Sequence, residues 1–321
     1  MLGKLLIPKT LLGRPVPRIA VGCAPLGSMP ETFGYRVTER TALATVEAAL
    51  DSPLNWLDTA WKYGEGESQR RIGTVLKQRG GLQKGAMLDT KIGRDADGNW
   101  GAEVAERLLH ESFAALHMDH IPLVFVHDPE EAEWDDVMGP NGAIQPLLAA
   151  KAEGRIGAIG VAGGTLDIMR QYVDTGIFEA VITHNRYTLL NRSAEGLIQH
   201  CHEIGIPILN AAPYASGLLA NPNRTNPRYA YGKPPVHILE RLEQIEAICS
   251  RWHVPVAAAA LQFSLRDERI TSTIVGMTGP QRIDQTLELA QILIRPECQD
   301  ELMALPFDTQ DISEQSIEGY A

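Results

Sequence analysis

The chain has 321 residues, 44% hydrophobic and 21% charged, a mix that suits one large α/β domain or two smaller ones. Its formal net charge of −11, with no run of Lys or Arg, argues against binding to nucleic acid or an anionic membrane surface. No window holds a membrane-spanning apolar run, and the N-terminal MLGKLLIPKTLLGRPVPRIAVG is interrupted by Pro8, Gly13, Pro15 and Pro17, unlike a signal peptide. Cys23, Cys201, Cys249 and Cys298 lie far apart and form no CxxC pair, which fits buried thiols in a reducing cytoplasm better than a disulfide framework.

In chain order, KLLIPKTLLGRPVPRI reads as two short strands around a turn containing Gly13, a hairpin suited to closing a barrel bottom. From there, short β-branched runs alternate with longer amphipathic segments. The strand candidates are RIAVGCAPLG, NWLDTA, AMLDTKIG, PLVFVHDP, IGAIGVAG, AVITHN, PILNAAP and STIVGM. Helix candidates cover 38–51, 68–78, 101–117, 142–153, 165–175, 193–204, 236–252 and 280–293, with PVAAAALQFSLRD as an extra helix. ANPNRTNPRYAYGKPP is a long loop of the kind that covers a site, and DTQDISEQSIEGYA reads as a frayed polar tail.

Eight βα units match a closed barrel, whereas a doubly wound sheet commonly has fewer strands and a Gly-rich first turn. The expected fold class is therefore α/β, a (β/α)8 TIM barrel with an N-terminal β-hairpin, one domain over residues 1–321. In such a barrel the C-terminal ends of the strands carry the chemistry. Asp58 ends the second barrel strand, Lys91 lies near the end of the third and His127 ends the fourth, so all three face one rim. Tyr63 sits on the loop just above Asp58. A Tyr is a poor acid or base near neutrality unless a nearby ammonium stabilises its anion, and Lys91 can do that. Asp58 can hold Lys91 charged and aimed, and His127 can bond to the Tyr63 hydroxyl or a substrate oxygen. The four make a proton relay that needs no metal. Taken singly, Asp58, Lys91 and His127 have structural readings, as helix cap, solvated charge and core imidazole. Their convergence outweighs those readings.

LDTAWKYGEGESQRRIG, DTKIGR, FVHDPE, GRIGAIGVAG, HNRYTLL and NAAPYASGLL together resemble the aldo-keto reductase superfamily over nearly the whole chain. The resemblance implies Asp58, Tyr63, Lys91 and His127 as catalytic tetrad and NAD or NADP as cofactor, bound without a Rossmann fold. It implies cofactor contacts from Asn185, Ser216, Gly217 and Leu218, and from Gly276, Met277, Thr278 and Arg282 after the eighth strand. Three departures stand out: Ala162-Gly163 in place of the family's Ser-Asn, His184 in place of its Gln, and Ala211 in place of its stacking aromatic. The Lys often found in NADP-selective members is also missing at Gly276-Met277, although Arg282 remains, so the expectation leans to NAD.

WLDTAWKYG, THNRYTLLNR, NAAPYASGLL and STIVGM resemble the aldose 1-dehydrogenase branch, which implies oxidation of a hemiacetal to a lactone. Tyr35 and Trp61 are candidates for a substrate wall. The expected partner is a small sugar or aldehyde, with neither nucleic acid nor membrane, and the expected assembly is a monomer or small homo-oligomer. The rivals are an NADPH-dependent aldehyde or ketone reductase and a non-catalytic nicotinamide-binding regulatory barrel. His200-Cys201-His202 is set aside as a metal site because neighbours one and two apart on a helix do not share a face.

Overall fold

Alternation along each barrel strand decides which side chains fill the barrel and which meet the surrounding helices. In the computed structural model, which describes residues 3–221, 227–315 and 317, the strands are β1 (Lys9–Leu11), β2 (Arg14–Val16), β3 (Ile19–Gly22), β4 (Trp56–Asp58), β5 (Met87–Ile92), β6 (Leu123–His127), β7 (Ile159–Gly163), β8 (Ala180–His184), β9 (Ile208–Ala211) and β10 (Ile270–Gly276). β3 to β10 form a closed barrel in chain order, β10 pairing back onto β3, and every pairing is parallel. The expected (β/α)8 barrel is the observed fold.

β6 shows the alternation clearly. Leu123 and Phe125 join the interior cluster with Trp56, Met87 and Leu209, while Val124 and Val126 pack outward under the helices. Phe125 pairs in register with Gly160 of β7, and its ring occupies the space that a Cβ on Gly160 would need. Large faces small across the barrel, so truncating Phe125 to Ala removes a fully buried ring at a cost of about 3–5 kcal/mol.

β1 and β2 form the expected antiparallel hairpin. Leu12 and Gly13 both have positive φ, the geometry that two-residue hairpin turns require. Leu11 and Val16 turn into the interior cluster and plug the barrel floor.

The eight expected helices appear within two residues of their predicted ends, from Glu39–Leu50 to Gln281–Gln291. The extra helix, Val256–Arg266, has a different role from the one expected. It packs directly on β10, while Val236–Arg251 packs outward against a further helix, Pro296–Ala304. Its Ala-rich face explains the exchange: Ala258, Ala259, Ala260, Leu261 and Leu265 are all buried, and small side chains allow close approach to the sheet.

The expected frayed tail is corrected over its described part. Asp308 N donates to Leu190 O, Asp311 is bonded from three sides, and Ile312 is fully buried. Residues 316 and 318–321 lie outside the described residues, as do 222–226 of the long loop.

Candidate active site

The register Asp58↔Asp89 between β4 and β5 and Lys91↔Phe125 between β5 and β6 brings the predicted strand-end residues to one rim. Lys91 Nζ donates to Asp58 Oδ2 at 2.5 Å, to Thr59 O at 2.9 Å and to Tyr63 Oη at 3.3 Å. The His127 ring stands edge-on to Tyr63, 5.7 Å between centroids. The structure therefore assembles Asp58, Tyr63, Lys91 and His127 as one cluster.

The loop carrying Tyr63 is fixed by its backbone. Trp61 N donates to Lys91 O, Tyr63 N to Ala60 O and Ser68 N to Tyr63 O. Beneath it the chain passes so close that a Cβ on Gly27 would lie 2.5 Å from Tyr63 O. Gly27 is required there because any side chain would lift the loop and its phenol.

The electrostatics departs from expectation at Tyr63. Burial drives its phenol above the usual range, and Lys91 opposes the rise without overcoming it, so the neutral phenol is the resting form. Burial also works against the Lys91 ammonium, but Asp58, Tyr63 and Asp89 together outweigh it and hold Lys91 above its usual value. His127 is pushed down to about 3 by burial, with Asp128 opposing, and His184 to about 4 by burial and then Arg186. Both imidazoles are neutral near pH 7, so His127 acts through hydrogen bonding. Its Nδ1 has no partner among the described residues.

Across the mouth, Asn185 at the end of β8 is buried, with positive φ. Its Oδ1 accepts from Ser216 Oγ at 3.5 Å, while its buried Nδ2 meets no acceptor among the described residues. An orphaned amide donor there fits the carboxamide carbonyl of a nicotinamide. Met277 is fully buried, Gly276 is exposed at the end of β10, and Arg282 donates to Gln285 at 3.2 Å from the first turn of Gln281–Gln291. Arg282 also lies close enough to Tyr35 and Tyr214 to act on both phenols. Gly217, Leu218 and Thr278 sit in the two loops that frame this side, and Gly217 has positive φ.

At Gly163, the second position of the missing Ser-Asn pair, and at Gly164 beside it, the space for a side chain is already taken. A Cβ on Gly163 would come 2.5 Å from Glu130 Oε2, and one on Gly164 would come 2.6 Å from Arg186 Nη1. Glu130 Oε1 caps the N–H groups of Gly164 and Thr165, and Asp311 Oδ2 takes that of Leu166 at 2.8 Å. Arg186 Nε closes the arrangement on Asp311 Oδ1 at 2.6 Å.

Of the substrate-wall candidates, Tyr35 is exposed and stacks on Phe33, 5.7 Å between centroids. Trp61 is nearly buried, and its N–H donates to Glu111 at 2.7 Å. The sequence reading missed Tyr231, whose ring lies 6.4 Å from Phe33 and 6.3 Å from His184, and which acts electrostatically on Tyr63. Arg228 of the same loop donates to Thr32 O, so the described part of the long loop does cover the mouth. The Arg-Tyr-Ala-Tyr sequence in a Pro-rich loop was the available signal. Lys62, bonded to Asp128 at 2.9 Å and to Glu131 at 2.8 Å, was missed as well. His200 pairs with Asp174 at 2.6 Å, and Cys201 is in the core.

Residues 18–305 match the model of the Aldo/keto reductase family. The chain is 30% identical to D-threo-aldose 1-dehydrogenase of a Pseudomonas species, over 88% of this chain and 92% of the relative. It is 27% identical to pyridoxal 4-dehydrogenase of Microbacterium luteolum, over 87% and 92%. The holo form of an aldo-keto reductase from Bacillus halodurans superposes with a TM-score of 0.77 at 20% identity, covering 96% of this chain and 99% of that one.

Proposed function

Because this chain belongs to the aldo/keto reductase family, and is thereby an NAD(P)-dependent oxidoreductase, we propose that it oxidises the anomeric carbon of an aldose, converting the hemiacetal to a lactone. The observation that carries the proposal is the buried contact of Lys91 Nζ with both Asp58 Oδ2 and Tyr63 Oη, 2.5 and 3.3 Å. A phenol bonded to a buried ammonium is a proton-transfer group with its anion already compensated on one side. The similarity to D-threo-aldose 1-dehydrogenase supports the sugar class.

When bound, the nicotinamide supplies the hydride acceptor. In its phenolate form, which Lys91 compensates, Tyr63 Oη takes the proton of the anomeric hydroxyl and becomes the neutral phenol as the hydride is given up from C1. His127, neutral, hydrogen-bonds to the same substrate oxygen and fixes its distance from Tyr63. Asn185 Nδ2 would hold the carboxamide, with Ser216 orienting the Asn185 side chain. Gly217, Leu218, Thr278 and the first turn of Gln281–Gln291 would hold the phosphates. NAD is the cofactor, because Gly276 and Met277 bring no charge to a 2′-phosphate and leave Arg282 to meet it singly. Tyr231, Phe33 and Tyr35 present aromatic faces suited to a sugar's C–H surface. The four buried, unpaired thiols support a cytoplasmic setting.

One observation favours the reverse direction. The neutral resting phenol holds the proton that carbonyl reduction with NADPH would deliver. The deciding experiment supplies an aldose panel and pyridoxal with NAD and NADP, and an aldehyde panel with NADH and NADPH, following reduced-cofactor absorbance. Tyr63→Phe is expected to lower kcat by about 10²–10⁴-fold while cofactor binding persists. Turnover at the native rate in Tyr63→Phe would remove Tyr63 from the mechanism, and aldehyde reduction without aldose oxidation would replace the substrate assignment.

A further inference from the structure

Beneath the relay the barrel holds one more ionisable group. Asp89 faces inward two residues before Lys91, is fully buried and stands in register with Asp58. Its Oδ2 accepts from Trp56 Nε1 at 2.6 Å. Its Oδ1 meets no donor among the described residues, yet the Asp58 carboxyl lies within hydrogen-bond reach. The charged and titratable groups facing this pair are Lys91 of the same strand, Tyr63 above it and Cys23 beyond the end of β3. Cys23 Sγ donates to Val21 O, and among the described residues Lys91 is the cation acting on both carboxyls.

Two adjacent carboxyls in a dry space cannot both ionise against a single ammonium. Lys91 Nζ is committed to Asp58 at 2.5 Å, which leaves the proton to the other member. We propose that Asp89 is a proton-bearing carboxyl that donates a hydrogen bond from Oδ1 to Asp58 and so sets how much of the Lys91 charge reaches Tyr63. It is a positioning residue, reaching the substrate only through Asp58, Lys91 and Tyr63. Burial first, and then Asp58, hold the Asp89 carboxyl well above the usual carboxylate range. Drawing Asp58's negative charge downward frees the ammonium to act on the phenol above.

The kinetic arm of the test rests on the proton-relay reading given above, whereas the spectroscopic arm does not. With aspartate carboxyls selectively 13C-labelled, which leaves the raised Glu130 out of the spectrum, the native protein at pH 7 is expected to show one protonated carboxyl that is absent from Asp89→Asn. Spectra in which every aspartate is ionised, or in which that signal survives Asp89→Asn, would overturn the proposal.

In kinetics, the Asn amide can replace the O–H as donor to Asp58, so the oxidation rate at fixed pH should stay at the native level. Asp89→Leu removes the donor and should slow oxidation about tenfold, one pK unit at Tyr63. Oxidation that speeds up in Asp89→Asn would mean a negative charge had been removed, and the proposal fails. A purely structural role would lower the melting temperature of both variants without separating their rates. Should no aldose turnover be found, the labelled native spectrum still decides the protonation state.

Discussion

The rim over β4 to β6 and the rim over β7 to β10 are held together differently. On the first, the polar groups satisfy one another: Asp58, Lys91 and Tyr63 form a chain of contacts within a few residues of their strand ends. On the second, the chain leaving β7 is clamped by residues from elsewhere: Glu130 from the loop after β6, Asp311 from the C-terminal segment, and Arg186 beyond β8 holding Asp311. The relay is thus a property of the barrel itself. The opposite rim, where we propose the cofactor binds, depends on segments that only the finished fold brings together, and its residues can change as long as the clamp changes with them.

Removing Lys91 should break the relay side most. Lys91→Met is expected to lower turnover by at least about 10²-fold and also to destabilise the fold by about 3–5 kcal/mol, since Asp58 is left buried without its partner. Kinetics and urea unfolding of the same variant check both. A variant that loses activity at native stability would show that the pair is not desolvated as described.

The second effect is on pH. A base whose pKa lies above its usual value is scarce in its active form at neutral pH, so oxidation should climb about tenfold per unit from pH 6 upward, with reduction flat over the same range. His127, pushed down to about 3, should add no inflection between pH 5 and 8. An inflection there that disappears in His127→Gln would contradict its neutral role.

On the opposite rim the expected loss is in stability and cofactor affinity. Arg186→Met leaves Asp311 without its nearest cation and should cost about 3–5 kcal/mol, with KM for the cofactor rising more than kcat falls. A fall in kcat alone would place the clamp in the chemistry, erasing the contrast between the rims. The smallest effect is expected at Arg282, whose contact with Gln285 lies at the surface. Arg282→Ala should raise KM for NADP several-fold and KM for NAD little, a difference of about 1 kcal/mol in phosphate binding. Equal changes for both cofactors would show that Arg282 never meets the 2′-phosphate.

The same contrast explains what the sequence revealed. The barrel and its helices are legible because each βα unit carries its own periodicity, and the relay because Asp58, Lys91 and His127 each end or nearly end a strand. Pro296–Ala304 escapes notice because it buries only Cys298 and Leu302, too few apolar positions to set a period. The tail reads as polar because Asp311 is satisfied by Arg186, 125 residues earlier, a pairing no local pattern shows. Gly163 looks like a lost contact until Glu130 is seen filling its space. Asp89 was within reach: a carboxylate two residues before an inward Lys must share its face.

The hairpin plug has a kinetic consequence for the relay. With Leu11 and Val16 closing the floor, the barrel axis opens toward the mouth, and its polar contents should exchange protons with water there. A ligand seated over Tyr63 and beneath Tyr231 then cuts that exchange. The enzyme carries into each turnover whatever protonation it held when the ligand arrived, so the pH it last sampled while open governs the step it takes while closed.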